Sequence, residues 1–202
     1  MSSMMTPTLP PGLPPEPIAR ISVDQYHGMI QAGVIDEDDR LELLEGWLVP
    51  KMSKKPPHAA STELTREALR QQLPAGWFIK SQDPVTTGDS EPEPDVSVVR
   101  GTIRDYFERH PGPSDIGTLI EVAETTLTRD RGIKKRVYAR ARILVYWIVN
   151  LVDRQIEVYT DPTGPADQPD YRQDQVFKPG DSIPIVLDGT EIGRLEVNQV
   201  LP

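Results

Sequence analysis

The sequence predicts an α/β protein, a mixed sheet with helices packed against it, and three observations carry that prediction. Ile143–Asn150 (Ile-Leu-Val-Tyr-Trp-Ile-Val-Asn) is apolar on both faces, as a central strand should be. Asp95–Val99 and Thr118–Ala123 are two more β-branched, apolar runs of strand length. Between the last of these and Ile143 lies Asp130–Arg142, with Ile133, Val137 and Ala141 at helical spacing. The order is helix, several strands, helix, strands, which is not the strict alternation of a doubly wound fold. No glycine-rich phosphate loop follows any strand.

Taken in order, residues 1–17 hold six prolines and few large apolar groups, so they are expected to form a disordered tail ahead of one domain over residues 18–202. Ser22 is placed to cap a helix running to Ala32, with Tyr26, Met29 and Ile30 on one face and Gly33 as its stop. Leu41–Val49 reads as a hairpin turning at Glu45-Gly46. After a Lys- and Pro-bearing loop over residues 50–57, Leu64, Ala68 and Leu69 predict an amphipathic helix from His58 to Gln72. Trp77–Ile79 opens a strand, and Gln82–Pro92 is a polar loop. Thr102–His110 is expected to be a short helix broken by Pro111 and Pro113. Beyond Asn150, Gln155–Thr160 alternates as a half-exposed strand. Shorter strand-like pieces follow at Gln175–Phe177, Ile183–Leu187 and Leu195–Val197.

Composition removes several chemistries. With no cysteine, disulfides, thiolate catalysis and Cys-held zinc are excluded; with only three widely spaced histidines, a His-rich metal site is not expected. A metal here would be held by carboxylates and carbonyls, which favours Mg²⁺ or Mn²⁺. The net charge of −9 argues against a non-specific, basic nucleic-acid binder. No stretch of 18 apolar residues occurs, and Met1–Pro17 lacks the pattern of a secretory signal, so a cytoplasmic location without membrane contact is expected.

The chemistry is concentrated between Glu91 and Tyr138. Strand period two puts Leu119, Glu121 and Ala123 on one face, and Asp95 opens a strand that can pair beside Glu121. Two carboxylates among aliphatic residues repel each other unless a positive group sits between them. An oxygen-preferring divalent cation meets that need. Helical spacing puts Lys134 and Tyr138 on one stripe, from which an ammonium can approach both carboxylates. Such a set suits phosphodiester hydrolysis.

These residues, together with Glu42–Val49, His58, Glu93–Val99, Glu121–Ala123, Asp130–Lys134, Tyr138–Ala141 and Tyr146–Val149, resemble the Uma-type restriction endonucleases, a branch of the PD-(D/E)XK nuclease superfamily. The resemblance runs from about Ile21 to the C-terminus. It implies a restriction-endonuclease-like fold, with an extra N-terminal hairpin and short C-terminal strands, and a Mg²⁺- or Mn²⁺-dependent endonuclease acting on DNA. By this resemblance Asp95 and Glu121 are the catalytic acids. The lysine expected two positions after Glu121 is replaced by Ala123, and Lys134 on the next helix takes its part. The implied metal ligands are Asp95, Glu121 and the Ala123 backbone carbonyl; Glu42, His58 and Glu93 are accessory candidates. No organic cofactor is expected. A homodimer would suit cutting two strands, with the apolar C-terminal strands as its candidate interface.

Each residue also has an ordinary reading. Asp95 can be a strand-start aspartate, Lys134 a helix-surface lysine with Lys135 as its competitor, and Tyr138 a packing residue. Glu42 can be a hairpin-edge glutamate, and Lys51, Lys54 and Lys55 a solvated loop or a phosphate contact. The rival functions are a non-catalytic binding or regulatory protein that keeps the nuclease fold, and an oligomerisation module.

Overall fold

The cap read at Ser22 is the first feature of the structure, a computed structural model that describes residues 19–202; the proline-rich tail lies outside the described residues. Ser22 Oγ accepts the Gln25 N–H at 3.2 Å and Gln25 Oε1 accepts the Ser22 N–H at 2.9 Å. This reciprocal box satisfies two otherwise orphaned donors. Helix α1 (Val23–Gln31) follows and buries Tyr26 with Ile35 and Leu43. The hairpin β1 (Leu41–Leu44) and β2 (Trp47–Pro50) turns through Glu45 and Gly46, both at positive φ, as a two-residue turn matched to strand twist requires. Helix α2 (Pro56–Arg70) starts two residues before the expected His58. Pro56 and Pro57 fill its first turn, where a missing N–H goes unnoticed.

The central sheet has six strands in the order β3 (Trp77–Lys80), β4 (Val96–Arg100), β5 (Ile116–Ala123), β6 (Val145–Asn150), β7 (Gln155–Pro162) and β8 (Tyr171–Phe177). Every neighbouring pair is antiparallel except β5 and β6. A parallel pair needs a crossover, and here it is the helical run α3 (Leu127–Arg129), a π segment (Asp130–Lys134) and α4 (Lys135–Arg140). The C-terminal end of β5 therefore feeds directly into the helix that packs back on it. That connection makes the site.

All eight residues of β5 are buried. Ile120 and Val122 face one core, with Leu69 of α2, Trp147 and the separate hairpin β9 (Ser182–Leu187) and β10 (Thr190–Glu196). Leu119 and Ala123 face the other, with Val137, Tyr138 and Ala139 of α4. Each aliphatic side chain so enclosed contributes roughly 1.5–3 kcal/mol.

Three expectations change. Thr102–His110 is not a helix but a single 3₁₀ turn over Ile103–Tyr106. Asp105 Oδ2 closes it on the Thr102 N–H at 2.7 Å, and Ile103 and Phe107 stay 70% and 75% exposed with no core to extend toward. Strand β8 is longer than the piece expected at 175–177, because an edge strand needs only backbone pairing: Tyr171 and Phe177 are buried and the five residues between them are exposed. Four apolar residues of the last hairpin, the candidate dimer interface, point inward. Ile183, Ile185, Leu187 and Leu195 are all in the chain's own core.

Candidate active site

Asp95 immediately precedes β4, and the register Val96↔Ile120, carried one step on, sets it beside Glu121. Its Oδ2 accepts the Val122 N–H at 2.9 Å and lies 3.1 Å from His58 Nε2 of α2. Burial works to raise the Asp95 carboxyl, but His58 and the Val122 amide prevail and hold it below the usual carboxylate range. Among the described residues its Oδ1 accepts no hydrogen bond, and the Lys54 ammonium stands 3.8 Å from it, too far for one.

Glu121 lies on the α4 face of β5. Its Oε1 accepts from Lys134 Nζ at 2.9 Å and from the Tyr138 hydroxyl at 2.7 Å; its Oε2 accepts from no described residue. Burial pushes the Glu121 carboxyl up, with Lys134 working against it and Asp130 and Asp95 adding to it. Burial acts in the opposite sense on Lys134, yet the carboxylates of Glu121, Glu42 and Asp130 hold it above the ordinary lysine range. Lys134 is therefore a buried ammonium enclosed by acids.

The π segment puts it there. In the wider turn the Lys135 N–H reaches the Asp130 carbonyl, and Asp130 and Lys134 both turn inward and are buried. A regular helix was expected over this stretch. Such segments are frequent at functional positions. Asp130 accepts Thr126 Oγ1 at 2.6 Å, and burial pushes its carboxyl up to about 6. Lys135, the competitor, pairs instead with Asp170 at 2.8 Å, away from the site.

Arg131, exposed on the same segment, anchors it to β7. Its Nε is 2.9 Å from Glu157 Oε2 and its Nη2 is 2.5 Å from Oε1; Asn150 and Tyr159 also donate to that carboxylate, each at 2.8 Å. Burial alone would raise the Glu157 carboxyl, but these donors reverse that and hold it at about 2. Its stabilising effect is complete above the unfolded value of 4.5 and is lost as the pH falls toward about 2. Glu157→Gln is expected to cost about 2–3 kcal/mol at neutral pH. The gap from wild type should close across that acid window, as read by urea melts at stepped pH; a gap independent of pH would count against the network.

Of the other candidates, Glu42 on β1 is brought in. Its Oε2 is 3.5 Å from Lys134 Nζ and accepts the Glu93 N–H at 3.3 Å, and its Oε1 is 3.7 Å from Arg129. Glu93 sits at the rim, paired with Lys51 at 2.7 Å. Glu42, His58, Glu93, Asp95, Glu121 and Lys134 all line one cavity. The Ala123 carbonyl does not join them. It accepts the Leu151 N–H at 2.9 Å, so it points toward β6 and away from Asp95. Backbone groups alternate edges along a strand, so the carbonyl on the Asp95 side belongs to Val122, whose own N–H binds that aspartate. Asp130, Tyr138 and Arg129 are the members that sequence reasoning did not assign to the site. The four-residue steps Thr126–Asp130–Lys134–Tyr138 were the available signal.

The donor set suits a small, hard divalent cation. Asp95 Oδ1 and Glu121 Oε2 each carry no hydrogen bond from a described residue. Among the described residues no three His, Asp or Glu side chains close into a ready cage. Mg²⁺ is commonly held by one or two carboxylates with water and phosphate completing the shell.

A family model described as "Putative restriction endonuclease" and named Uma2 matches residues 23–196. Among solved structures, a protein from Anabaena variabilis ATCC 29413, titled "a putative nuclease belonging to DUF820", superposes with a TM-score of 0.59 at 15% identity. The match covers 89% of this chain and 97% of that one, and it shows a shared fold. No curated protein gives a significant match.

Proposed function

Since the chain belongs to the Uma2 family, we propose that it is an endonuclease hydrolysing phosphodiester bonds of DNA, with Mg²⁺ or Mn²⁺ held by Asp95, Glu121 and the Val122 carbonyl. The observation that carries this reading is the buried Lys134 ammonium, 2.9 Å from Glu121 in a cavity shared with Asp95. When bound, the cation polarises a phosphate oxygen and lowers the pKa of a bound water. Asp95, kept ionised by His58 and the Val122 amide, offers its free Oδ1. Tyr138 fixes the Glu121 carboxylate through Oε1. Lys134 offsets negative charge gathering on the phosphorus oxygens as the leaving group departs. As a firmly protonated ammonium it is a charge-stabilising group and not the base.

The test is Mn²⁺ calorimetry and supercoiled-plasmid nicking on the wild type and on Asp95→Asn. The wild type is expected to bind and nick, and the variant to nick about 10³-fold more slowly, the order of one lost set of charge-stabilising contacts. A variant that nicks like wild type defeats the assignment. Mn²⁺ and DNA binding without nicking would favour the rival, a non-catalytic DNA-binding protein on the nuclease fold, which the net charge of −9 leaves in play.

A further inference from the structure

The proposed hydrolysis leaves one charged segment facing the cavity without a role, residues 51–55 between β2 and α2. Lys51 Nζ is 2.7 Å from Glu93 Oε1, Lys54 Nζ is 3.8 Å from Asp95 Oδ1, and Lys55 Nζ is 3.4 Å from Glu124 Oε1. Glu124 follows directly on β5, and nearby Arg129 Nη1 donates to the Pro50 carbonyl at 2.8 Å. The segment thus crosses the mouth of the cavity and is tied by side chains to both walls.

Its backbone is held far less. Among the described residues the N–H groups of Met52, Ser53, Lys54 and Lys55 donate to no protein acceptor. The Met52 carbonyl and Ser53 Oγ meet only the Arg40 guanidinium, at 3.3 and 3.4 Å. The backbone is bonded only at its two ends, the Lys51 N–H donating to the Arg40 carbonyl at 2.7 Å and the Lys55 carbonyl accepting the Ala59 N–H at 3.1 Å. Between these points the segment depends on its half-buried side-chain ion pairs and opens more cheaply than a strand or helix would.

The placement of Lys54 is specific. Burial works against its ammonium and Lys134 repels it, while the carboxylates of Asp95, Glu121 and Glu93 attract it. It faces Asp95 Oδ1, an oxygen that no hydrogen bond occupies, whereas Lys134 serves Glu121 Oε1. Lys134 and Lys54 therefore face different members of the Glu121–Asp95 pair, and Lys54 lies nearest the oxygen that a divalent ion would need.

We propose that residues 51–55 are a cation-displaced strap: Lys54 holds the place of the divalent ion at Asp95 until that ion arrives, and the strap then swings outward and its lysines exchange carboxylates for backbone phosphates of the nucleic-acid substrate. This rests on the nuclease reading above. It gives the acidic protein a set of phosphate-binding lysines that is released from its carboxylates only when the site is loaded.

The experiment uses the full chain, wild type and Lys54→Met. Calorimetry with Mn²⁺ is expected to show about tenfold tighter binding in the variant, the order expected for removing a half-exposed like charge from the ion's position. With Ca²⁺ and a short DNA duplex, the variant's plot of log affinity against log salt should be shallower by about one unit, one phosphate contact. In the wild type, Mn²⁺ should speed tryptic cleavage after Lys54; the Lys55–Pro56 bond resists trypsin and does not interfere. Unchanged or weaker Mn²⁺ affinity in Lys54→Met overturns the strap and leaves the nuclease reading standing. A wild type that binds no Mn²⁺ removes the nuclease reading, and the strap with it.

Discussion

Lys134→Met is expected to lower the melting temperature of the protein without added metal by roughly 6–20 °C, and added Mg²⁺ is expected to restore part of the loss. The ammonium lies 2.9 Å from Glu121 and 3.5 Å from Glu42, and Asp130 adds its field. A methionine of similar length fills the volume but leaves those acids buried together without their cation. Removing one partner from a buried ion pair costs about 3–5 kcal/mol, because the remaining charge stays desolvated. The deficit should shrink as the pH is lowered, since Glu121 and Asp130, already raised by burial, can then take up protons and cease to repel. Scanning calorimetry at two pH values, with and without Mg²⁺, checks both points. A melting temperature equal to wild type would mean that Lys134 is not the ammonium neutralising the cluster.

Glu121→Gln should do the reverse: a near-normal fold with the chemistry gone. The amide oxygen can still accept from Tyr138 and Lys134, so the packing of β5 against α4 is kept and the melting temperature should stay within a few degrees of wild type. What goes is the negative charge at the free oxygen. Metal affinity is expected to fall by about 100-fold or more, and nicking by about 10³-fold. A thermal-shift titration separates this from unfolding. A ligand at 100 times its Kd stabilises a protein by about 2.7 kcal/mol, so the wild type should melt higher as Mg²⁺ is added while Glu121→Gln stays flat. Equal shifts in both proteins would place the cation elsewhere.

These two variants separate roles that the sequence left joined. The aliphatic runs around Asp95 and Glu121 marked them as acids that a core strand would not tolerate unpaired, and the structure pairs each of them. Lys134 stood out by its spacing and by the family resemblance, with Lys135 beside it. What separates the two lysines is the π segment, which turns Lys134 inward and sends Lys135 to Asp170. Tyr138, read as a packing residue, does pack, in contact with Tyr146, but its hydroxyl also fixes Glu121.

By itself the sequence determined most of the elements and singled out two acids in apolar strands. The Ser22 cap, the Glu45-Gly46 turn and the apolar strands are local patterns, and a local pattern is written in neighbouring residues. The tertiary structure alone decided which groups meet. Glu42 reaches Lys134 from a hairpin some ninety positions earlier in the chain, and Lys54 reaches Asp95 across a loop. The Val122 N–H faces Asp95 while the Ala123 carbonyl is taken by Leu151. That last choice depends on which edge of β5 pairs with β4 and which with β6. Strand alternation gives each backbone group an edge, and only the assembled sheet says what lies beyond it.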